Sequence, residues 1–299
     1  MPYRVINLQV DWLGRKWDFM DLYYLTLITS AHLLCFLAPF HFTWGALKVA
    51  YVLYLLSGVG VTLSYHRHLS HRSFKMPKWL EYYFAYCAVL SLQGSPLEWV
   101  STHRFHHQVT DKENDPHTPS KGFWFSHVNW AFDYHARWGS YDGQLMKNVG
   151  DLECQAFYRF LHYTYPYHSV LLGVILYVTG GLPYVIWGMF VRLVVVAHAT
   201  AAVNSFCHTW GKQIYDTGDE SKNNWVFGLL SQGEGWHNNH HAFEYSARHG
   251  LEWWQVDLTW YVIKLLQILG LATDVKLPTE SQKQRKALAK NAVLEGKIN

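Results

Sequence analysis

The feature that most constrains the fold is a series of long apolar runs. The first covers residues 22–40 and contains no charged residue, and the second covers residues 43–64 with Lys48 as its one charge. An α-helix rises 1.5 Å per residue, so a run of about 20 residues crosses a hydrocarbon core of about 30 Å. Because only a short link joins the two runs, we expect them to form a helical hairpin in a membrane.

A second pair of apolar runs covers residues 167–181 and 183–204. The glycine pair 180–181 and Pro183 predict a turn between them, and therefore a second hairpin. Arg192 lies within the last run, and an intramembrane charge is expected to face the protein interior or to reach toward the interface. The predicted fold class is an all-α integral membrane protein, with four transmembrane helices in two hairpins and a cytosolic helical cap.

The composition indicates how much of the chain meets water. Charged residues make up 16%, against about 25% in an average soluble domain. The mean hydropathy of −0.08 is nevertheless too low for a chain that lies wholly in a bilayer. The apolar content excludes a disordered chain, and four scattered cysteines exclude a disulfide scaffold. A net charge of +3 gives no argument for nucleic-acid binding.

The predicted parts are a cytosolic N-terminal segment 1–21, a membrane domain 22–278 and a charged tail 279–299. Basic residues flank the first hairpin on the side of the termini, and its turn has no Lys or Arg. These basic residues are Arg4, Arg15, Lys16, Arg67, Arg72, Lys75 and Lys78. By the positive-inside rule, the termini and segments 65–165 and 205–299 are expected to face the cytosol. The shorter apolar stretch 79–92 is typical of a buried or interfacial helix.

Histidine is the compositional outlier, with 19 residues against 22 aspartates and glutamates. Three clusters stand out, namely His66, His68 and His71; His103, His106 and His107; and His237, His240 and His241. In the last two clusters the spacing i, i+3, i+4 puts three imidazoles on one helical face. In the first, regular helical geometry leaves His66 and His68 as alternatives. Histidine is the commonest metal ligand, so the clusters together predict a metal site.

The number and type of these residues favour two metal ions. A structural zinc site uses four ligands and usually includes cysteine. The Glu-x-x-His pairs of soluble di-iron bundles occur here once, as Glu234 and His237. A single site of two histidines and one carboxylate would leave most of the histidines unused. Two metals bound mainly by imidazole fit the count, and imidazole suits iron.

The sequences HRHLSH, HRFHH and HNNHH resemble the three histidine boxes of membrane fatty acyl desaturases. The resemblance covers residues 20–278 and includes GFWFSH at residues 122–127 and GEGW before the third box. Within the family, the sequence is similar to the plant and cyanobacterial Δ9-type branch. The similarity lies in YHRH at residues 65–68, which begins the first box, and in EWWQVD at residues 252–257. The resemblance implies a di-iron site with two Fe ions per chain.

The resemblance also implies which residues bind the metals. The implied histidine ligands are His66, His71, His103, His106, His107, His208, His237, His240 and His241. Asn204 and His208 match an Asn-x-x-x-His pair of the family, in which the asparagine acts through water. His68 falls on a variable position of the first box.

Other residues are candidates for roles around the metals. Acidic side chains near the boxes are expected to fix imidazole tautomers through the second ring nitrogen. The candidates are Glu98, Asp111, Asp115 and Glu234. His117 and His127 are further candidates for contact with the metal-binding histidines.

The substrate is expected to lie in a narrow apolar tunnel that bends near the metals. Trp79 and Trp99 are candidates for its walls, and Lys121 is a candidate for contact with the carrier headgroup. The remaining histidines are interpreted as packing or interfacial residues, namely His32, His41, His198 and His249.

The resemblance implies an O2-dependent desaturase that introduces a cis double bond, at the Δ9 position, into a saturated acyl chain. The carrier is CoA or a glycerolipid; Ser101 and Thr102 stand where the animal acyl-CoA branch has Arg-Asp, which leaves room for a lipid. A related di-iron hydroxylase is one alternative. A metal-transporting or haem-bearing membrane protein is another, but it would place its histidines at mid-membrane depth.

Electrons must come from a partner, because the sequence has no Gly-x-Gly-x-x-Gly dinucleotide motif. The resemblance implies cytochrome b5 in the endoplasmic reticulum, or ferredoxin in plastids. The basic residues Arg67, Arg72, Lys75 and Lys78 are a candidate face for an acidic donor. The lack of a convincing transit peptide favours the endoplasmic reticulum membrane, with a plastid membrane as the alternative.

Overall fold

The computed structural model describes residues 10–12, 15–133 and 144–295. Arg4, part of the predicted basic flank, lies outside the described residues. The regular elements are helices apart from an antiparallel hairpin of β1 (Val10–Trp12) and β2 (Arg15–Trp17). This hairpin is missing from the all-α prediction, because two three-residue strands leave no periodic signal.

The α-helices are α1 (Phe19–Cys35), α2 (Trp44–Val59), α3 (Lys78–Val89), α4 (Pro96–Val109), α5 (Phe123–His127), α6 (Gln144–Lys147), α7 (Gly150–Glu153), α8 (Ala156–Val185), α9 (Arg192–Thr209), α10 (Trp225–Leu230), α11 (His237–Ala242), α12 (Leu258–Ile268) and α13 (Glu280–Glu295). Two π-helical segments extend them. Gly60–Ser70 continues α2, and Ile186–Val191 joins α8 to α9. The tail predicted from residue 279 therefore contains a helix.

Two helical segments among the described residues are long and apolar enough to cross a membrane, Trp44–Ser70 and Ala156–Thr209. The second is interrupted at Gly181, whose φ of 66° and ψ of −160° are not helical. Beyond this point the chain turns back, since a Cβ on Gly188 would lie 3.0 Å from Leu176. The turn expected from the glycine pair and Pro183 is thus found at Gly181.

The helix bounds differ from the predicted spans. The helix α1 is apolar but has only 17 residues, and it begins at Phe19 rather than at residue 22. The helix predicted to start at residue 167 starts at Ala156, because Tyr158 and Leu161 are fully buried and hold its first turns against the protein. The predicted span 43–64 continues as helix to Ser70.

The buried arginines connect these helices to the rest of the protein. Arg192 is 1% exposed and donates to the carbonyls of Gly188 and Leu90, as expected for an inward-facing charge. Arg67 is also completely buried, and its guanidinium contacts Glu234 and Asp257. The prediction that Arg67 belongs to an exposed basic face is therefore wrong, because its charge is compensated inside the fold.

The three other residues of the predicted donor-binding face are exposed, but each has an acidic partner. The pairs are Arg72 with Asp151, Lys75 with Asp274 and Lys78 with Glu81. Their positive charge is thus largely neutralised on the surface of the protein itself.

Candidate metal centre

The nine predicted histidine ligands converge in two groups. Within each group the candidate ligand atoms lie within 4.8 Å of one another. The first group consists of His66, His71, His103, His107 and His240, and the second of His106, His208, His237 and His241. The second group is buried, and in the first group His66 and His240 are buried while the other three are half-buried.

The π-helical segment explains how the first box contributes two histidines to one group. In a regular α-helix, residues five apart diverge, whereas a π-helix has i→i+5 hydrogen bonds. Such a bond joins the His71 amide to the His66 carbonyl at 3.2 Å. The two imidazole centroids consequently lie 4.9 Å apart. His68 points elsewhere, with Nε2 3.9 Å from Glu81 Oε2.

The i, i+3, i+4 spacing lets each of the other boxes serve both groups. On α4, His103 and His107 belong to the first group and His106 to the second. On α11, the arrangement is reversed, with His240 in the first group and the two outer histidines in the second. His208 completes the second group from the end of α9. Spacing alone did not point to His208, which only the resemblance implied.

The distances between ring nitrogens fit metal coordination. His240 Nε2 lies 3.1 Å from His66 Nε2 and 3.0 Å from His107 Nε2, and His237 Nε2 lies 2.9 Å from His208 Nε2. One imidazole nitrogen offers a single lone pair or proton, so His240 cannot satisfy both contacts by hydrogen bonding. Adjacent octahedral ligands at about 2.1 Å from a metal are about 3.0 Å apart. The donor set therefore fits two metal ions.

Carboxylates face the opposite ring nitrogens. Asp115 contacts His106 Nδ1 at 3.0 Å, Asp111 contacts His208 Nδ1 at 3.0 Å, and Glu234 contacts His66 Nδ1 at 2.6 Å. Each contact favours a proton on Nδ1, which leaves the Nε2 lone pair free for a metal. Burial alone would raise the pKa of Asp115, but His106 and His117 lower it below its usual value.

Sequence reasoning missed two carboxylates of this kind. Asp219 lies 2.9 Å from His241 Nδ1, and Glu244 lies 3.2 Å from His107 Nδ1. Asp219 is in a loop far from the boxes, so no spacing signal marked it. The sequence predicts the same role for Glu98, but its carboxylate accepts from the Ser95 backbone amide at 2.9 Å and caps α4.

Two further histidines lie beside the two groups. His249 is completely buried, with its ring centroid 4.5 Å from that of His240 and Nδ1 3.1 Å from Glu234 Oε2. His249 is thus a packing residue, as interpreted, and it packs directly against His240 and Glu234 of the histidine groups' surroundings. His117 lies 4.4 Å from the His106 ring and 3.6 Å from Asp115.

Three histidines outside the metal groups form a hydrogen-bonded row. His32 Nε2 lies 2.9 Å from His198 Nε2, and His198 Nδ1 lies 3.0 Å from His127 Nε2. His127 Nδ1 then contacts Ser205 Oγ at 2.8 Å. His127 thus lies in this row rather than against a metal ligand, and His41 ends the short 3₁₀ turn Ala38–His41 after α1.

Two cavities border the histidine groups, and Trp99 lines both of them. The first has an empty volume of about 640 Å³ and lies between α2 and α9. The second has about 1340 Å³ and is lined by the histidine row and α1. Trp99, His103, Thr200 and Asn204 line both cavities. Trp99 stacks on His103 with centroids 5.0 Å apart.

Two other predicted residues lie away from the cavities. Trp79 is 63% exposed, so its assignment as a tunnel wall is wrong. The inward face of α3 carries Leu80 and Phe84 instead, which turns Trp79 outward. Lys121 is exposed in a short turn, with Nζ 5.3 Å from the Phe125 ring, and it lines neither cavity.

Comparison with known proteins decides the family. The family model described as "fatty acid desaturase" matches residues 42–267. The chain belongs to the fatty acid desaturase family. Desaturases are oxidoreductases, so this protein is an enzyme, and the alternatives of a metal transporter and a haem protein are excluded. The predicted membership of this family is confirmed.

Several relatives of this desaturase are plant enzymes. It is 59% identical to the chloroplastic palmitoyl-monogalactosyldiacylglycerol delta-7 desaturase of Arabidopsis thaliana, over 93% of this chain and 75% of the relative. It is 51% identical to delta-9 acyl-lipid desaturase 1 of the same plant, over 92% and 90%. An acyl-CoA 5-desaturase of Anemone leveillei is 53% identical over 98% and 90%. These relatives differ in acyl carrier and in double-bond position.

Proposed function

We propose that this desaturase uses two iron ions to introduce a cis double bond into a saturated acyl chain. The observation that carries the proposal is the division of nine imidazoles into groups of five and four around two centres. The five histidines of the first group would hold one iron. The four of the second would hold the other, with Asn204 contributing through water from the cavity wall beside His106 and His237.

The reaction takes two hydrogen atoms from neighbouring methylene groups and reduces O2 to two water molecules, with two electrons and two protons supplied from outside. Iron, when bound, supplies the redox chemistry of O2 reduction. The protein positions the chain, since placement of reacting atoms is worth several orders of magnitude in rate. Trp99 lies over His103 at the junction of the two cavities, where it would hold the reacting carbons.

The acyl chain is proposed to run through both cavities and to bend at Trp99. At this bend Gln93 donates to Thr200 at 2.9 Å, which joins the α3–α4 link to α9 across the second cavity. The apolar walls exclude water from the reacting carbons. The two hairpins are proposed to cross the bilayer as four helices, with the metal groups at the cytosolic ends, within the membrane domain 22–278.

The double-bond position, the acyl carrier and the electron donor are proposed from the resemblance to the plant branch. We propose the Δ9 position, an acyl-CoA or glycerolipid carrier, and an exposed contact of the headgroup with Lys121. The electron donor is proposed to be cytochrome b5 in the endoplasmic reticulum, or ferredoxin in a plastid membrane. Expression in yeast that lacks its own desaturase, with fatty acids analysed by carrier, tests these points together. Hydroxylated rather than unsaturated product would assign the chain to the related hydroxylases.

Protein purified from iron-rich medium is expected to contain about two irons per chain, because imidazole ligands suit iron and two groups are present. Metal analysis by mass spectrometry measures this ratio. Removal of the metal by a chelator should abolish desaturation, and iron should restore it. One zinc per chain, without iron, would contradict the proposed centre.

Asp115→Asn is expected to lower iron affinity or activity by about 10–100-fold, as changes in the partners of metal-bound histidines do. The amide keeps the shape of the side chain but removes the charge that faces His106 and His117. Asp274→Asn is a matched control, because Asp274 is an exposed partner of Lys75. Wild-type iron content and activity in Asp115→Asn would show that Asp115 does not position His106.

A further inference from the structure

The cavity between α2 and α9 follows one face of α2 away from the metal groups. Tyr54, Gly58, Thr62 and His66 line it at intervals of four residues. His66 lies eight residues after Gly58, and because most of this stretch is the wider π-helix, the two residues are about 10 Å apart along the helix axis. The cavity therefore offers a channel of this depth between the metal groups and the level of Gly58.

Gln232 borders the channel at the level of Gly58. Its side chain is almost entirely buried, at 3% exposure, and lines the cavity. Neither its Oε1 nor its Nε2 has a hydrogen-bond partner in the part of the chain that the structure describes. A methyl group on Gly58 would overlap this amide, so the two residues are in close contact. Burying an amide without a partner is unfavourable, so a packing role alone does not explain a glutamine here.

The backbone holds Gln232 firmly in this position. Its φ of 58° lies in the left-handed region, which is costly for a residue other than glycine. Its carbonyl accepts from Thr259 N at 3.1 Å and from Thr259 Oγ1 at 2.9 Å, and Thr259 in turn contacts Thr62 at 2.6 Å. Strained residues that the surrounding structure fixes are concentrated at functional sites.

We propose that the Gln232 amide marks the methyl end of the bound acyl chain and sets the chain length that this enzyme accepts. The proposal rests on the proposed function, with the methyl side of the chain in this cavity. An extended chain of single bonds advances about 1.25 Å per bond, so about eight carbons fit between the level of His66 and Gln232. The ligand class is thus the saturated methyl-side segment of an acyl chain.

Chain length is selected by the polarity of the amide as well as by space. A chain that stops before Gln232 leaves room for a water molecule to partner its amide. A longer chain presses methylene groups against the amide and leaves it without a partner, which costs binding energy. Tyr54, one turn beyond Gly58, lines the far part of the cavity, and its hydroxyl donates to the Leu230 carbonyl.

The test compares Gln232→Leu, Gln232→Met and Gln232→Ala with wild type in yeast that lacks its own desaturase. Saturated fatty acids of graded length are supplied, and the products are analysed by gas chromatography. The ratio of longer to shorter unsaturated products is expected to rise in all three variants, by roughly fourfold for each additional methylene accommodated. This ratio is measured within one culture, so it does not depend on the amount of enzyme. Gln267→Leu is the matched control, because Gln267 is an exposed amide on α12.

The outcomes separate this inference from the proposed function. A wild-type enzyme that makes no unsaturated product would refute the proposed function. An active wild type whose three Gln232 variants keep the wild-type ratio would refute the role of Gln232 alone. Three variants that are produced in normal amount, contain iron and make no product of any length would also overturn it, because they would assign the amide to the catalytic geometry.

Discussion

His240→Ala is expected to reduce unsaturated product by more than about 100-fold, while the protein is still produced. His240 Nε2 lies within 3.1 Å of both His66 Nε2 and His107 Nε2, which places it at the centre of the five-histidine group. Alanine cannot bind a metal. Mutation of a residue that only hydrogen-bonds to a metal-bound histidine already lowers metal affinity or activity by about 10–100-fold. The measurement is the fatty-acid profile of desaturase-deficient yeast, normalised to the amount of protein.

His41→Ala is the matched control for this variant. His41 lies in the turn between α1 and α2 and belongs to neither histidine group. Iron analysis of purified His240→Ala separates loss of metal from loss of fold, and we expect folded protein with less iron. Desaturation at the wild-type level would remove His240 from the proposed ligands.

Arg67→Ala is expected to destabilise the protein by about 3–5 kcal/mol, the usual cost of breaking a buried ion pair. The Arg67 guanidinium lies 2.9 Å from Glu234 and 2.9 Å from Asp257, and it donates to the Ala247 carbonyl. Without it, two carboxylates remain buried with no cation, and Glu234 is the partner of His66. The measurement is the temperature at which detergent-solubilised protein aggregates.

Arg72→Ala provides the comparison for this change. The Arg72 side chain is 65% exposed and pairs with Asp151 on the surface, where such pairs contribute about 0–1 kcal/mol. We therefore expect an aggregation temperature close to that of wild type for Arg72→Ala and a clearly lower one for Arg67→Ala. Equal temperatures for the two variants would contradict the structural role of Arg67.

The apolar helices, the turn at Gly181 and the histidines that come together could all be predicted from the amino-acid sequence. These features depend on local patterns: the length of an uncharged run, a glycine pair, and imidazoles at i, i+3 and i+4. The family resemblance added His208, because a single histidine at a helix end has no local signal. Composition likewise could not place Arg67, since a flanking arginine and a buried one look alike in sequence.

The division of the histidines between the two groups, and the side chains that surround them, depend on how the chain folds. The π-helical turn that aligns His66 with His71 depends on packing against α3 and α4, and no periodicity in the box encodes it. The carboxylates of Asp219 and Glu244 reach their histidines from separate parts of the chain, so only folding reveals the contacts. The same holds for the buried amide of Gln232, because whether a buried polar group has a hydrogen-bond partner depends on its three-dimensional surroundings.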